Sequence, residues 1–163
     1  MKRILIALIT FLLLTSLASA ATLQVGPKLH YKTIQSAVNA AQSGDTIYVN
    51  AGTYKEYVSV DDKHLIFQGQ KTGNKYLYPS VSGFCFDPYP NTGSGDVNGF
   101  KITNGGIFYG GYGHNIVRNN YLTNCYIYTQ GQPCSNNVIM NNQFTNAGIT
   151  LYSESYDNVV TGN

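Results

Sequence analysis

The side chains that could break a glycosidic or ester bond are few and scattered. Besides Arg3, Arg118 is the only arginine, and the acidic residues are Asp45, Glu56, Asp61, Asp62, Asp87, Asp96, Glu154 and Asp157. Glycoside hydrolysis needs paired carboxylates flanking the bond. Abstraction of a sugar proton needs a base, often with Ca²⁺ held by several carboxylates. Asp61 and Asp62 are the only adjacent acids. Neighbours on a strand face opposite ways, so this pair suits a turn better than a site. His30, His64 and His114 are far apart, and Cys85, Cys125 and Cys134 fit no zinc spacing. The sequence therefore predicts no catalytic set within this chain, no metal site and no cofactor.

Binding chemistry is better represented. Phe108, Tyr126 and Tyr128 fall at outward positions of strands one repeat apart. Aromatic faces stacked at that interval can hold a sugar ring by its apolar side, with Asn amides supplying hydrogen bonds. The same residues would equally serve as a ladder that stabilises a sheet. Tyr152 and Tyr156 extend the aromatic surface.

These positions follow from an internal repeat. Three segments align without gaps: VNGFKITNGGIFY from Val97, VRNNYLTNCYIYT from Val117 and IMNNQFTNAGITL from Ile139, with VTGN opening a fourth at Val160. Val97, Val117, Ile139 and Val160 form an apolar column, as do Ile102, Leu122 and Phe144, and Ile107, Ile127 and Ile149. Gly105, Cys125 and Ala147 form a small-residue column, with Tyr109 and Leu151 in another inward one. Asn104, Asn124 and Asn146 form one amide column. Asn120, Asn142 and Asn163 form a second, with Phe100 as its exception. Period-2 alternation between the columns is strand behaviour. One unit of this length cannot bury its apolar side alone, whereas stacked units place like on like at about 4.8 Å. Stacked Asn amides can then bond along the axis. Arg118 and Asp96 face outward by the same alternation.

The N-terminal part predicts a helix over 33–42. Thr33 is its N-cap, Ile34, Ala37, Val38 and Ala41 form one apolar face, and Gly44 stops it. The helix covers the open end of the first coil. Between Gln70 and Gly95, several Pro, Gly and Tyr residues predict a long turn or an irregular coil. The expected fold is all-β, a right-handed parallel β-helix of about five coils with a short capping helix.

Residues 1–20 read as an export signal. Lys2 and Arg3 precede an apolar run from Ile4 to Leu14, and Ala18-Ser19-Ala20 is a small-x-small cleavage site. Residues 21–163 then form one domain, secreted or at the cell surface, with no membrane span left after cleavage. Without Lys2 and Arg3 the basic and acidic residues balance, which argues against nucleic acid as a partner. Export permits disulfides. A bridge between Cys125 and Cys134 would draw Cys125 out of its column. The repeats stop partway through a rung at Asn163, which raises two expectations: a longer β-helix, or end-to-end self-association.

The stretch TIQSAVNAAQSGDTIYVNAGTYKEYVSV (33–60) resembles the start of pectin lyase-like β-helix proteins. The N-x-(apolar)-T-N…GI rungs are similar to carbohydrate-binding and sugar-hydrolase repeats. The resemblance implies the fold and a setting among secreted or surface proteins, but that fold hosts many activities. His114 stands where hydrolases of this kind carry Gly-His-Gly, but Asn115 replaces the second glycine and their Arg-Ile-Lys partner is absent. The expected role is structural, adhesive or glycan-binding, with polysaccharide or envelope components as partners. The alternative is the N-terminal part of a lyase, hydrolase or epimerase of acidic polysaccharide.

Overall fold

A computed structural model describes residues 19–86, 93–110, 113–130, 134–151 and 155–163. Most of the stretch read as an export signal lies outside these residues, as do Asp87, Pro88, Pro90, Tyr152 and Glu154. Among the described residues no helix is long and apolar enough to cross a membrane.

The chain runs β1 (Thr22–Val25), α1 (Ile34–Ala40), β2 (Thr46–Val49), β3 (Thr53–Val60) and β4 (His64–Gly69). It continues through β5 (Lys71–Thr72), β6 (Lys75–Tyr76), β7 (Ser80–Phe86), β8 (Ser94–Asn98) and β9 (Lys101–Tyr109). The final rungs hold β10 (Ile116–Arg118), β11 (Tyr121–Thr123), β12 (Tyr126–Thr129), β13 (Val138–Met140), β14 (Gln143–Thr145), β15 (Gly148–Thr150) and β16 (Val159–Thr161).

One face stacks β1-β2-β4-β8-β10-β13-β16, every neighbouring pair parallel. Seven stacked strands make about six turns, one more than the sequence suggested, because β1 already forms a rung ahead of α1. The other sheet bends. The first half of β9 pairs with β11 and its second half with β12, so the sheet folds into two faces at Asn104. The cross-section is three-sided, and the protein is a parallel β-solenoid.

The repeat columns fall in register. Val97, Val117, Ile139 and Val160 pair in sequence, as do Ile102, Leu122 and Phe144, and Ile107, Ile127 and Ile149. Except at the exposed Val160, their side chains line one continuous core, with Phe67, Phe84, Phe86, Phe100 and Tyr109 packed in its middle. The Tyr109 hydroxyl donates to the Gly95 carbonyl at 2.8 Å, so this ring is buried without a stranded polar atom.

Two expectations need correction. Helix α1 ends at Ala40, with Ala41 as an extended C-cap; Gly44, at φ 92°, belongs to the next turn. The described part of the stretch from Gln70 to Gly95, residues 70–86 and 93–95, is also more regular than expected. It holds the β5–β6 hairpin and then β7, a full strand between β3 and β9. A register shift around Ser82 breaks the alternation of SVSGFCF and hides the strand in the sequence.

Helix α1 covers the edge of β3 by direct mimicry. The Gln35 side chain accepts from Ser59 N at 2.8 Å and donates to Ser59 O at 3.0 Å, replacing a strand partner. Glu56 bonds in the opposite direction, its two carboxylate oxygens accepting from Ile34 N and Gln35 N, both at 3.0 Å. Thr33 caps the same end through Ser36 N at 3.2 Å.

Candidate functional site

The two amide columns do different work. Asn120 and Asn142 are buried, and each carboxamide bridges three rungs. Asn142 Oδ1 accepts from Asn120 N and Asn120 Nδ2, both at 3.0 Å, and its Nδ2 donates to Val117 O at 2.9 Å and Asn163 Oδ1 at 3.0 Å. Phe100, the exception in the column, closes the ladder by donating its backbone N–H to Asn120 Oδ1 at 2.9 Å. Asn104, Asn124 and Asn146 instead lie exposed at the corner between the two bent faces, all in the left-handed region. Asn is tolerated there, and Asn146 Nδ2 still reaches Asn124 Oδ1 at 2.9 Å.

A third column escaped the repeat alignment. Asn115, Asn137 and Asn158 form a second inner ladder, with Asn115 N and Nδ2 both donating to Asn137 Oδ1, and Asn137 N and Nδ2 to Asn158 Oδ1. The signal was present as N-x-(V/I)-x-(N/G)-N in three rungs. Cys134 is buried against this ladder, Asn137 Nδ2 lying 3.4 Å from its Sγ. No disulfide joins Cys125 and Cys134, and Cys125 keeps its inward place with Sγ 3.7 Å from Ile102 O. Burial pushes both thiols up, so they are protonated at neutral pH and poor nucleophiles.

The aromatic candidates converge on one surface trough of about 450 Å³. Its walls are Tyr57 at one end and Tyr126 and Tyr128 at the other, with Phe108 along one side and Asn104 and Asn124 along the opposite corner. The Phe108 and Tyr128 rings stack at 5.7 Å with 29° between planes. Tyr126 is 58% and Tyr57 51% exposed.

Register explains the trough. Tyr57 pairs with Gly83, Gly83 with Gly106, and Tyr126 with Gly148; Ile107 pairs with Ile127, which brings Gly106 opposite Tyr126. This outward column thus reads Tyr-Gly-Gly-Tyr-Gly. Tyr57 and Tyr126 are rooted three rungs apart, roughly 14 Å along the axis, with the two glycines between them. A Cβ at Gly83 would sit 2.7 Å from Tyr57 Cε2, and one at Gly105 3.1 Å from Tyr57 Cδ2, so the Tyr57 ring rests on bare backbone. Tyr57 and the glycines were not visible as site residues, because Tyr57 lies outside the aligned repeats.

None of the residues lining the trough carries an ionised side chain. Burial and the nearby Cys85 push the Tyr57 phenol up, so it too is neutral. The titratable groups gather on another face. Asp96 Oδ1 accepts from Ile116 N at 2.9 Å, and burial raises its carboxyl against the opposing pull of that bond, His64 and Arg118. His64 Nδ1 is 2.9 Å from Ser94 Oγ. Arg118 is exposed, as the alternation predicted. Among the described residues, no group of three or more His, Cys, Asp or Glu is placed to hold a metal ion.

Fold and site together define a parallel β-solenoid protein with an uncharged aromatic trough on one lateral face. No family model matches the chain, and neither curated proteins nor solved structures give a significant match.

Proposed function

We propose that this is a secreted or cell-surface glycan-binding protein, of the pectin lyase-like kind that its N-terminal sequence resembles. It holds a neutral carbohydrate chain in the trough between Tyr57 and Tyr126. The observation that carries the reading is the Tyr-Gly-Gly-Tyr-Gly column, which roots two exposed rings three rungs apart and leaves between them a trough flanked by Asn104 and Asn124. Sugar rings offer C–H faces to aromatics and hydroxyls to amides. The lack of charge in the trough favours a neutral polymer over a uronate. No carboxylate lines it, so the reading includes binding and no turnover.

Native electrophoresis in gels containing a neutral β-glucan or mannan, with pectate and alginate alongside, tests this. The expected result is retardation by a neutral polymer without release of reducing ends. Tyr126→Ala and Tyr128→Ala should each weaken retention about tenfold, or ~1.4 kcal/mol, while Arg118→Ala leaves it unchanged. Retention of both tyrosine variants at wild-type strength, or no retardation by any neutral glycan, would overturn the reading. Product release from pectate or alginate would favour the enzyme alternative.

Self-association is the second partner expectation. Strand β16 bonds to β13 along one edge, and Val159 and Val160 are about half exposed. A chain prepared with Asn163 as its last residue is expected to grow in size with concentration in sedimentation velocity. A single monomeric boundary across a hundredfold concentration range would count against it.

A further inference from the structure

We propose that the carboxylate of Asp45 is the built receptor for a free α-ammonium group on Ala21, created when the Ala20–Ala21 peptide bond is hydrolysed during export. A peptidase adds one water across that bond, leaving a carboxylate on Ala20 and an amine on Ala21 that takes up a proton. The inference rests on export and is independent of the glycan reading.

Asp45 is 6% exposed, and its Oδ1 accepts from Ala21 N at 2.7 Å while Oδ2 accepts from Gln42 N at 2.8 Å. Ala21 is fixed from its other side as well, its carbonyl accepting from Thr46 N at 2.8 Å. Strand β1 begins at the next residue, with Thr22 paired to Thr46.

The choice of acid is the telling feature. Register places Asp45 in the column of Asn115, and Asn115 Oδ1 accepts from Gly95 N one rung below just as Asp45 Oδ1 accepts from Ala21 N. Asn137 and Asn158 repeat the bond with amides. A carboxamide is therefore sufficient to hold an amide N–H in this column. A buried carboxylate costs more than an amide unless a cation faces it. In this column the acid stands only on the second rung, directly against the outermost strand β1, and it aims at the residue that follows the small-x-small motif Ala18-Ser19-Ala20.

The charged group facing Asp45 from elsewhere is Lys63, whose Nζ is held by Val38 O at 2.9 Å and attracts the carboxylate from further off. The hydrogen bonds from Gln42 and Ala21, then Lys63, hold the Asp45 carboxyl below its ordinary value despite burial. The group is ionised across the range in which an α-amine titrates.

The test compares residues 21–163 with a chain that starts at Ser19, each prepared as the wild type and as the Asp45→Asn variant. A paired α-ammonium has its folded pKa raised above the ordinary value of about 7.7–8.0. Its stabilisation is full below that value and is lost as pH rises through the folded pKa. The chain starting at Ala21 should thus lose thermal stability between about pH 8 and pH 10 relative to the extended chain. Asp45→Asn should abolish that difference. Competitive acetylation of the Ala21 amine in the wild-type fold, read by mass spectrometry, needs no variant to fold; the expected rate at pH 8 is at least about tenfold below that of the unfolded chain. The N-terminus of the exported protein should be Ala21. Parallel pH profiles of the two chains, ordinary acetylation of the amine, or an exported N-terminus elsewhere would each overturn the proposal.

Discussion

Asn142→Ala is expected to lower the unfolding midpoint by about 10 °C or more. Four hydrogen bonds from one buried carboxamide disappear together. What matters is what remains. The backbone N–H of Asn120 and one hydrogen of its amide stay buried without partners, and the Val117 carbonyl keeps only its ladder bond. Each such group costs about 1–3 kcal/mol, so a total of about 3–5 kcal/mol is reasonable, and at this chain length each kcal/mol moves the midpoint by about 2–4 °C. Leucine, of similar size, should do no better, because volume is not what is lost. Asn142→Asp separates the two explanations. One carboxyl oxygen would keep the two Asn120 donors while the other faced Val117 O and Asn163 Oδ1, and burial together with these two acceptors outweighs the donors and raises the folded pKa above the unfolded value near 3.9. Stability of that variant should be highest in acid and fall as pH rises through the folded pKa. Thermal melts between about pH 3 and pH 8 check the sign. A flat profile would mean that water enters the column and that the ladder is not a closed one. By contrast Asn146→Gly should be nearly neutral, since Asn146 is exposed and sits at φ 48°, where glycine is at ease.

The contrast between Asn142 and Asn146 shows what the sequence could and could not tell. Both belong to amide columns spaced by one rung, and spacing alone makes them equivalent. Their roles separate only when the chain turns: one carboxamide points into the stack, and the other lies on a left-handed corner facing water. The apolar columns were legible because burial acts on every rung in the same way. Asn115, Asn137 and Asn158 were missed because the first aligned copy carries Gly95 in that column, so no repeat was apparent there. Strand β7 was missed because a register shift next to Gly83 breaks its alternation. The trough was half legible. Phe108, Tyr126 and Tyr128 lie in adjacent repeats, whereas Tyr57 and Gly83 belong to rungs of other lengths, and only hydrogen-bond register brings them to the same column.

Gly106→Val should be as damaging as the loss of Asn142, and it should remove glycan retention with it. Two independent penalties meet at this position. Its φ is 85°, a region that β-branched residues avoid. A Cβ there would also collide with the Tyr126 carbonyl oxygen, which is backbone and cannot swing aside. Relief requires β9 and β12 to part, or the peptide at Gly106 to flip, at a cost of several kcal/mol (about 3–5) by the usual scale of strain and broken strand pairing. Either movement shifts Tyr126, the far wall of the trough. Gly148→Ala is the informative companion. Its Cβ would meet the Tyr126 ring at 3.3 Å, and its φ is not in the left-handed region, so the ring has to tilt by a few tenths of an ångström while the backbone stays put. The expected pattern is a large fall in melting temperature for Gly106→Val, little change for Gly148→Ala, and weakened glycan retention for both. Full retention by a folded Gly148→Ala variant would show that the angle of Tyr126 is irrelevant to binding. The trough would then be only the consequence of a column short of side chains, and the rings along it would serve to cover the sheet.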